Sequence, residues 1–480
     1  MKNKGLLFFT ALVIFLGFQS CKVGRSYKGS EVEMRVVFED GDSSITLNTD
    51  SLQSFVVDGP AWWKLFEDKL LDTLVSKALK HNYSLLSAAE NILQARRSLG
   101  MSKKDLLPQF GYGLQFASGN TLGGFVGPEQ DFLFGGLTAS WEIDIWGKLR
   151  RRNEAARNRL LASEYGYRSM QLSLVTTVMD AYFFHLESKE LLGIAQRNTA
   201  LRDSMLIIIQ ARFDKGIVPA IDLDQAKIQY AIAAESVPMF ERAVAQSAYA
   251  LFVLIGEMPQ SLSTQISMSE LQPKLELPER LPLELLNRRP DVVEKERLLV
   301  AANADVGAAQ GDRLPTLSLS GSFGTGTNDL GDLNFTDPLW QVGAGLAGPL
   351  FYWNQLKQRV DIEKSQREQA RIAYQLSVLS AANEVKDQSV ALSTFDQQIQ
   401  LLEERVEAAL HAQKLSQARY SQGVTSYLEY LESQRQAFDA ERALTRVKSQ
   451  KLSAYVALYK ALGGGWLDEQ ERNNQDGNSQ

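Results

Sequence analysis

The chain is poor in the residues that cross-link or do chemistry. It holds one cysteine, Cys21, and three histidines in 480 residues. A single thiol excludes an internal disulfide or a cysteine zinc cluster. His81, His185 and His411 lie far apart without carboxylate or cysteine neighbours at ligand spacing, so no metal site or cofactor is expected. No nucleophile–base arrangement stands out either, and no enzyme is expected. The formal charge is −6 and no basic stripe with interleaved aromatics appears, which argues against a nucleic-acid partner. Long apolar runs are also missing: Gly5 to Phe18 stops short of the ~20 residues of a transmembrane helix. Proline is absent between Pro128 and Pro219 and again after Pro349.

The N-terminus reads as an address. Lys2 and Lys4 precede the apolar run, and Gln19-Ser20-Cys21 follow it, which is the pattern of a secretory signal over residues 1–20. Losing both lysines with the signal would take the charge to −8. Cys21, at the end of the run, resembles the lipobox of bacterial lipoproteins. That resemblance implies an S-diacylglycerol and N-acyl lipid on Cys21 and an anchor in outer-membrane lipid; one acyl chain alone would hold only weakly.

What is present is a sequence written twice. Leu107-Pro108 recurs as Leu314-Pro315, and Trp146…Leu149…Arg152 as Trp353…Leu356…Arg359. Ala211-Arg212-Phe213…Gly216 recurs as Ala418-Arg419-Tyr420…Gly423, always 207 positions on. Two copies make an internal duplication, not a solenoid. Constant spacing over so long a stretch implies rigid elements whose lengths matter.

Leu149 to Lys215 is rich in Ala, Leu, Gln, Arg and Glu, with Leu172, Val175, Met179, Tyr182, Phe183 and Leu186 at helical spacing. Leu356 to Gln422 behaves alike. Helices of that length would run roughly 100 Å and suggest a coiled coil or helical tube. Shorter helical stretches are expected at 67–106, 220–254, 283–313 and 427–461. Strict alternation marks strands instead at 108–118 and 137–145, with Phe110, Tyr112, Leu114 and Phe116 on one face of the first. Copy two alternates likewise from Thr316 to Phe323 and from Trp340 to Ala347. The Gly-rich stretches Gly119 to Gln130 and Gly324 to Asp337 read as surface loops.

Strands of about 9–12 residues with aromatic ends fit a tilted bilayer crossing. Four strands cannot close a barrel, and an open edge cannot sit in lipid. The chain must therefore oligomerise, and Glu142 and Asp144 on the polar face favour a wide, wet interior.

At this point the residues resemble a family: the outer-membrane efflux proteins, TolC-like, most closely the lipoprotein branch of OprM-like and NodT-like factors. The carriers are Cys21-Lys22-Val23-Gly24…Tyr27, Trp62-Trp63…Phe66 with Leu70-Leu71, Trp141 to Lys148, Arg288-Arg289-Pro290-Asp291-Val292, and Gly348-Pro349-Leu350-Phe351. Arg25-Ser26 departs from the Pro-Asp usual there. The resemblance implies a mixed α and transmembrane β fold, internally duplicated. Four strands per chain would enter a trimeric 12-stranded β-barrel, continued by a long periplasmic α-helical coiled-coil tunnel. It implies a homotrimer in the outer membrane of a Gram-negative bacterium. A periplasmic adaptor and an inner-membrane efflux pump would be its partners, and small solutes its cargo.

The domain reading that follows is a signal at 1–20, a lipidated extended segment at 21–66, and repeat one at 67–256 with hairpin 108–145. A linker follows at 257–282, then repeat two at 283–463 with hairpin 315–351, and a polar tail at 464–480. Gly216 and Gly423 suit the left-handed stop of a helix, and Arg212 and Arg419 the negative helix end. Ser426 with Glu429 forms a capping-box pattern. The resemblance further makes these tips the periplasmic gate and the adaptor-docking turns, with Arg212, Gly216, Arg419 and Gly423 at the turns. Glu429 and Glu432 lie on one helical face, and three chains would bring six carboxylates together, a cation-leaky, pH-sensitive ring. Asp222 and Tyr420 take the places of a closing hydrogen bond between neighbouring tips; Thr425 stands where some relatives carry an arginine. A lipid-anchored coiled-coil spacer or adhesin without a pore is the alternative, but it leaves the four strands unexplained.

Overall fold

The computed structural model describes residues 24, 27, 62–119, 130–271, 289–327 and 338–464. Cys21, the signal, and the tail beyond residue 464 lie outside them. The helices are α1 (Lys69–His81), α2 (Tyr83–Lys104), α3 (Lys148–Asp214), α4 (Ala220–Leu254), α5 (Pro290–Gly311), α6 (Gln355–Ser421) and α7 (Tyr427–Ala461). The strands are β1 (Gln109–Gly119), β2 (Gln130–Ile143), β3 (Thr316–Thr327) and β4 (Pro338–Ala347). The duplication holds at the level of helix ends: α2 and α5, α3 and α6, and α4 and α7 each start and stop 207 residues apart. Among the described residues, no helix is long and apolar enough to cross a membrane.

Two compact units divide the chain. The first takes Glu90–Tyr165 and Val293–Ser377 and contains the sheet. Its order is β1-β2-β3-β4, antiparallel throughout, so β1 and β4 are open edges. β2 begins seven residues before the expected strand, and β3 runs through Gly324 to Thr327, which read as loop from sequence. The indole Nε1 of Trp141 donates to Leu106 O (3.0 Å) and that of Trp146 to Pro315 O (2.6 Å), tying each Leu-Pro step to the strand–helix junction.

That junction corrects one expectation. Asp144 does not line the polar face: it lies past the end of β2 and caps α3, accepting from Leu149 N (3.0 Å) and Arg150 N (2.9 Å). A carboxylate at a helix N-terminus satisfies orphan amides and opposes the positive helix end. Glu142 remains on the polar face and is paired with Lys148 at 2.5 Å.

In the same unit, Gly24 is held by a buried arginine. Arg151, 1% exposed, donates from Nη2 to Gly24 O at 2.5 Å. Gly24 has φ +83°, and a Cβ there would meet Gly307 Cα at 3.0 Å, so only glycine fits.

The second unit takes Gly166–Val292 and Val378–Gln480, with residues up to Ala89. Its main core joins Trp62, Trp63 and Phe66 to Val175, Met179, Tyr182, Phe183, Phe252 and Tyr459. Trp62 stacks on Tyr459 at 4.2 Å between centroids. The expected helix over 67–106 is broken at Asn82. Its backbone leaves the helical region there, and its Oδ1 caps the next helix by accepting from Leu85 N (3.0 Å). Its Nδ2 donates to Leu254 O (2.9 Å), the last carbonyl of α4. The described part of the linker after α4, up to Leu271, packs against the core. Met268 and Leu271 are buried, and Glu190 Oε1 accepts from Met268 N at 3.0 Å.

Arg289, 3% exposed, ends α7 and starts α5 together: its Nη1 donates to Ala461 O (3.1 Å) while Nε and Nη2 bind Asp291. Burial alone would raise the Asp291 carboxyl; the hydrogen bonds and charge of Arg289 outweigh it and hold it below the usual range.

Candidate functional site

Two turns join the long helices to their partners, and both stop in one way. Gly216 (φ +71°) and Gly423 (φ +73°) are left-handed, and the next amide reaches back, Ile217 N to Arg212 O (2.9 Å) and Val424 N to Arg419 O (3.0 Å). This double closure is the Schellman end. The copies then diverge. Ser426 Oγ accepts from Glu429 N at 3.3 Å, whereas Pro219 offers no side-chain cap.

The glutamates expected at the gate are both exposed on α7, and each has an arginine of its own chain. Glu429 Oε1 lies 3.3 Å from Arg419 Nη1, and its other oxygen accepts from the Thr425 hydroxyl. So Glu429 turns sideways and does not return to Ser426 as a full capping box requires. Glu432 accepts from Arg435 (2.7 and 3.0 Å) and Gln436 (2.9 Å), and these bonds hold its carboxyl below the usual range. Within one protomer, then, each carboxylate faces an arginine of the same chain.

Arg212 does not serve the end of its own helix. It donates to Ser421 O (3.3 Å), the last residue of α6, and its guanidinium sits 5.2 Å from the centroid of the Tyr420 ring. Tyr420 is buried and its hydroxyl has no hydrogen-bond partner among the described residues, so the Asp222–Tyr420 bond is not made within the protomer. Instead Tyr420 stacks on Tyr430 (6.0 Å, 5°) and meets Tyr427 at 5.5 Å, in a cluster with Met205, Ile209 and Leu223. Beside it lies a residue that sequence reasoning missed. Arg202 is 5% exposed, and its Nε and Nη1 find no acceptor. Burial pushes its guanidinium down and the phenols of Tyr430 and Tyr427 up, the latter to about 12.

The tips also expose apolar side chains in register. Ile217 and Ile221 recur at the same offset as Val424 and Leu428, and all four are at least 60% exposed. His185, by contrast, is buried with Nδ1 2.9 Å from Ser247 Oγ, and burial lowers its pKa, so it packs as a neutral ring.

The sheet has two unlike faces. Phe110, Tyr112, Leu114, Leu137, Phe323, Trp340, Val342 and Leu346 are exposed on one side. Gln109, Gln115, Thr138, Ser140, Glu142, Ser318, Ser320, Ser322 and Gln341 line the other. An apolar face this bare, on a sheet with two open edges, belongs to a subunit of a membrane channel.

Comparison with known proteins agrees. The family model "Outer membrane efflux protein" matches residues 74–257 and 281–464, two spans again 207 apart. The chain belongs to that family and is an efflux channel of the Gram-negative outer membrane. It is 31% identical over 422 residues to the pyoverdine export outer membrane protein OpmQ of Pseudomonas aeruginosa, covering 85% of this chain and 88% of that one. It is 29% identical over 481 residues to the antibiotic efflux pump outer membrane protein ArpC of Pseudomonas putida, covering 98% of each. The solved outer-membrane channel OprN superposes with a TM-score of 0.79 at 26% identity, over 93% of this chain and all of that one.

Proposed function

We propose that the chain is the lipid-anchored, homotrimeric exit duct of a tripartite efflux system. It would receive small solutes from an inner-membrane pump through a periplasmic adaptor and perform no chemistry itself. The carrying observation is the open four-stranded sheet with one bare apolar face. Its β1 and β4 edges need partners in lipid, and three chains close twelve strands around a wet lumen. The family's efflux role, and relatives that export pyoverdine or antibiotics, support a cargo of that size. Acyl chains on Cys21 would add the anchor, three positions before Gly24 in the sequence.

At the helix tips, Glu429, Glu432, Asp222 and Tyr420 would form the periplasmic gate. Arg212, Gly216, Arg419 and Gly423 would shape the docking turns, and Ile217, Ile221, Val424 and Leu428 would offer the adaptor apolar contact. Because each glutamate already has an arginine of its own chain, the ring would act through ion pairing. Single-channel recording in lipid tests both levels. The duct reading expects pores, and Glu429→Gln with Glu432→Gln should reduce cation selectivity and multivalent-cation block. Unchanged selectivity would remove the ring; absence of pores in the unaltered protein would remove the duct.

A further inference from the structure

The polar face of the sheet is not polar everywhere. Near the end of the hairpins away from the helices it carries Phe132, Phe134 and Leu339, three apolar side chains where alternation calls for small or polar ones. Two of them rest against glycines of the wall. Phe134 lies across two glycines: a Cβ on Gly136 would come within 2.8 Å of its Cζ, and one on Gly324 within 2.9 Å. Leu339 lies over Gly326 in the same way, at 3.0 Å. The glycines thus let Phe134 sink into the sheet, where it is 9% exposed. The rings of Phe132 and Phe134 are parallel within 4°, with centroids 6.3 Å apart.

Above them is a concavity of about 370 Å³, which includes Gln115, Thr138 and Gln341 in its lining. That volume falls in the lower part of the range for small-molecule sites. Among the described residues neither glutamine amide has a hydrogen-bond partner, so both present donors and acceptors to whatever enters. A flat apolar floor beside unpaired amides suits one class of solute, a planar aromatic ring with an amide-like or hydroxyl edge. The ring would stack on Phe132 and the edge would bind the glutamines.

We propose that this concavity is a transit subsite for planar aromatic solutes with a hydrogen-bonding edge. The inference rests on the duct reading, because only there does this face line a lumen. Each trimer would hold three such subsites round the loop end of the barrel. Occupancy would be brief, as conduction requires, and would bias passage toward aromatic cargo.

Planar-bilayer recording with two neutral probes tests it: naphthalene-2-carboxamide and its saturated counterpart, decahydronaphthalene-2-carboxamide. Block is read as a fraction of each channel's own open current. The aromatic amide should block at lower concentration than the saturated one, and Phe132→Ser should weaken its block roughly three- to tenfold, the scale of one aromatic contact. Phe323→Leu, on the opposite face, should leave the block alone. If Phe132→Ser forms no pores, Leu339→Ser reads the same loss. Equal block by the two amides, or block insensitive to both serine variants, overturns the subsite while pores persist. A wild-type protein without pores sinks the duct reading instead, so the two failures are told apart.

Discussion

Arg202 carries a full charge into a space shared with Tyr427, Tyr430 and Met205, and two of its three nitrogens find no acceptor. Removing a cation from water without a counter-ion is expensive, and replacing such groups by apolar ones of similar volume is often neutral or stabilising by about 1–4 kcal/mol. Arg202→Met should therefore hold or raise the urea midpoint of unfolding; a clear fall would show that the phenol rings repay the desolvation. Nothing in the sequence marked this residue. Leu201-Arg202-Asp203 reads as an ordinary solvated stretch of a long helix, and the phenols that enclose it stand more than two hundred positions away. Gly216 and Gly423 were legible for the opposite reason: a left-handed stop is a local requirement, written in local sequence.

At the scale of elements, α3, α4, α6 and α7 were readable almost to the residue because their periodicity is long and uninterrupted. β2 was not. From Asp131 to Gly136 it reads Asp-Phe-Leu-Phe-Gly-Gly, with apolar groups on both faces, so alternation fails where the glycines take the phenyl rings. The split between α1 and α2 escaped notice because Asn82 acts through contacts as well as locally, with Leu254 O as its distant acceptor. Asp144 shows how a polar residue continues an alternating pattern while serving the next element. Copy two has Phe351 at the matching place, and Asn354 takes a positive φ of 65° where copy one has Gly147. Asp144→Ala should cost about 1–2 kcal/mol. Faster hydrogen exchange of the Leu149 and Arg150 amides would check it, with the matching amides of α6 unaffected.

For the whole molecule, the matched helix ends make length a shared property of the copies. Deleting one heptad from α3 and α4 alone would set the tips of copy one back by roughly 10 Å relative to those of copy two. Cutting the same heptad from α6 and α7 as well should restore the match. The expected result is loss of cross-linkable trimer in the single-copy deletion and its recovery in the paired one. Equal assembly by both would mean that the common offset has no mechanical role. The resemblance of the full sequence to efflux channels was legible from its motifs. The inward phenyl rings and the tyrosine-enclosed cation were not, because each depends on residues that only folding brings together.

The position matching Arg202 in the second copy is Ala409, and the tyrosines at 420, 427 and 430 face Phe213, Ala220 and Leu223 in the first. A ring grown from a single-copy gene could not draw that distinction, since every repeat would carry the cation and its tyrosines alike. Doubling within the reading frame gives each its own half. The halves are then free to diverge as complements, and a substitution in one can be answered by the other without a second gene.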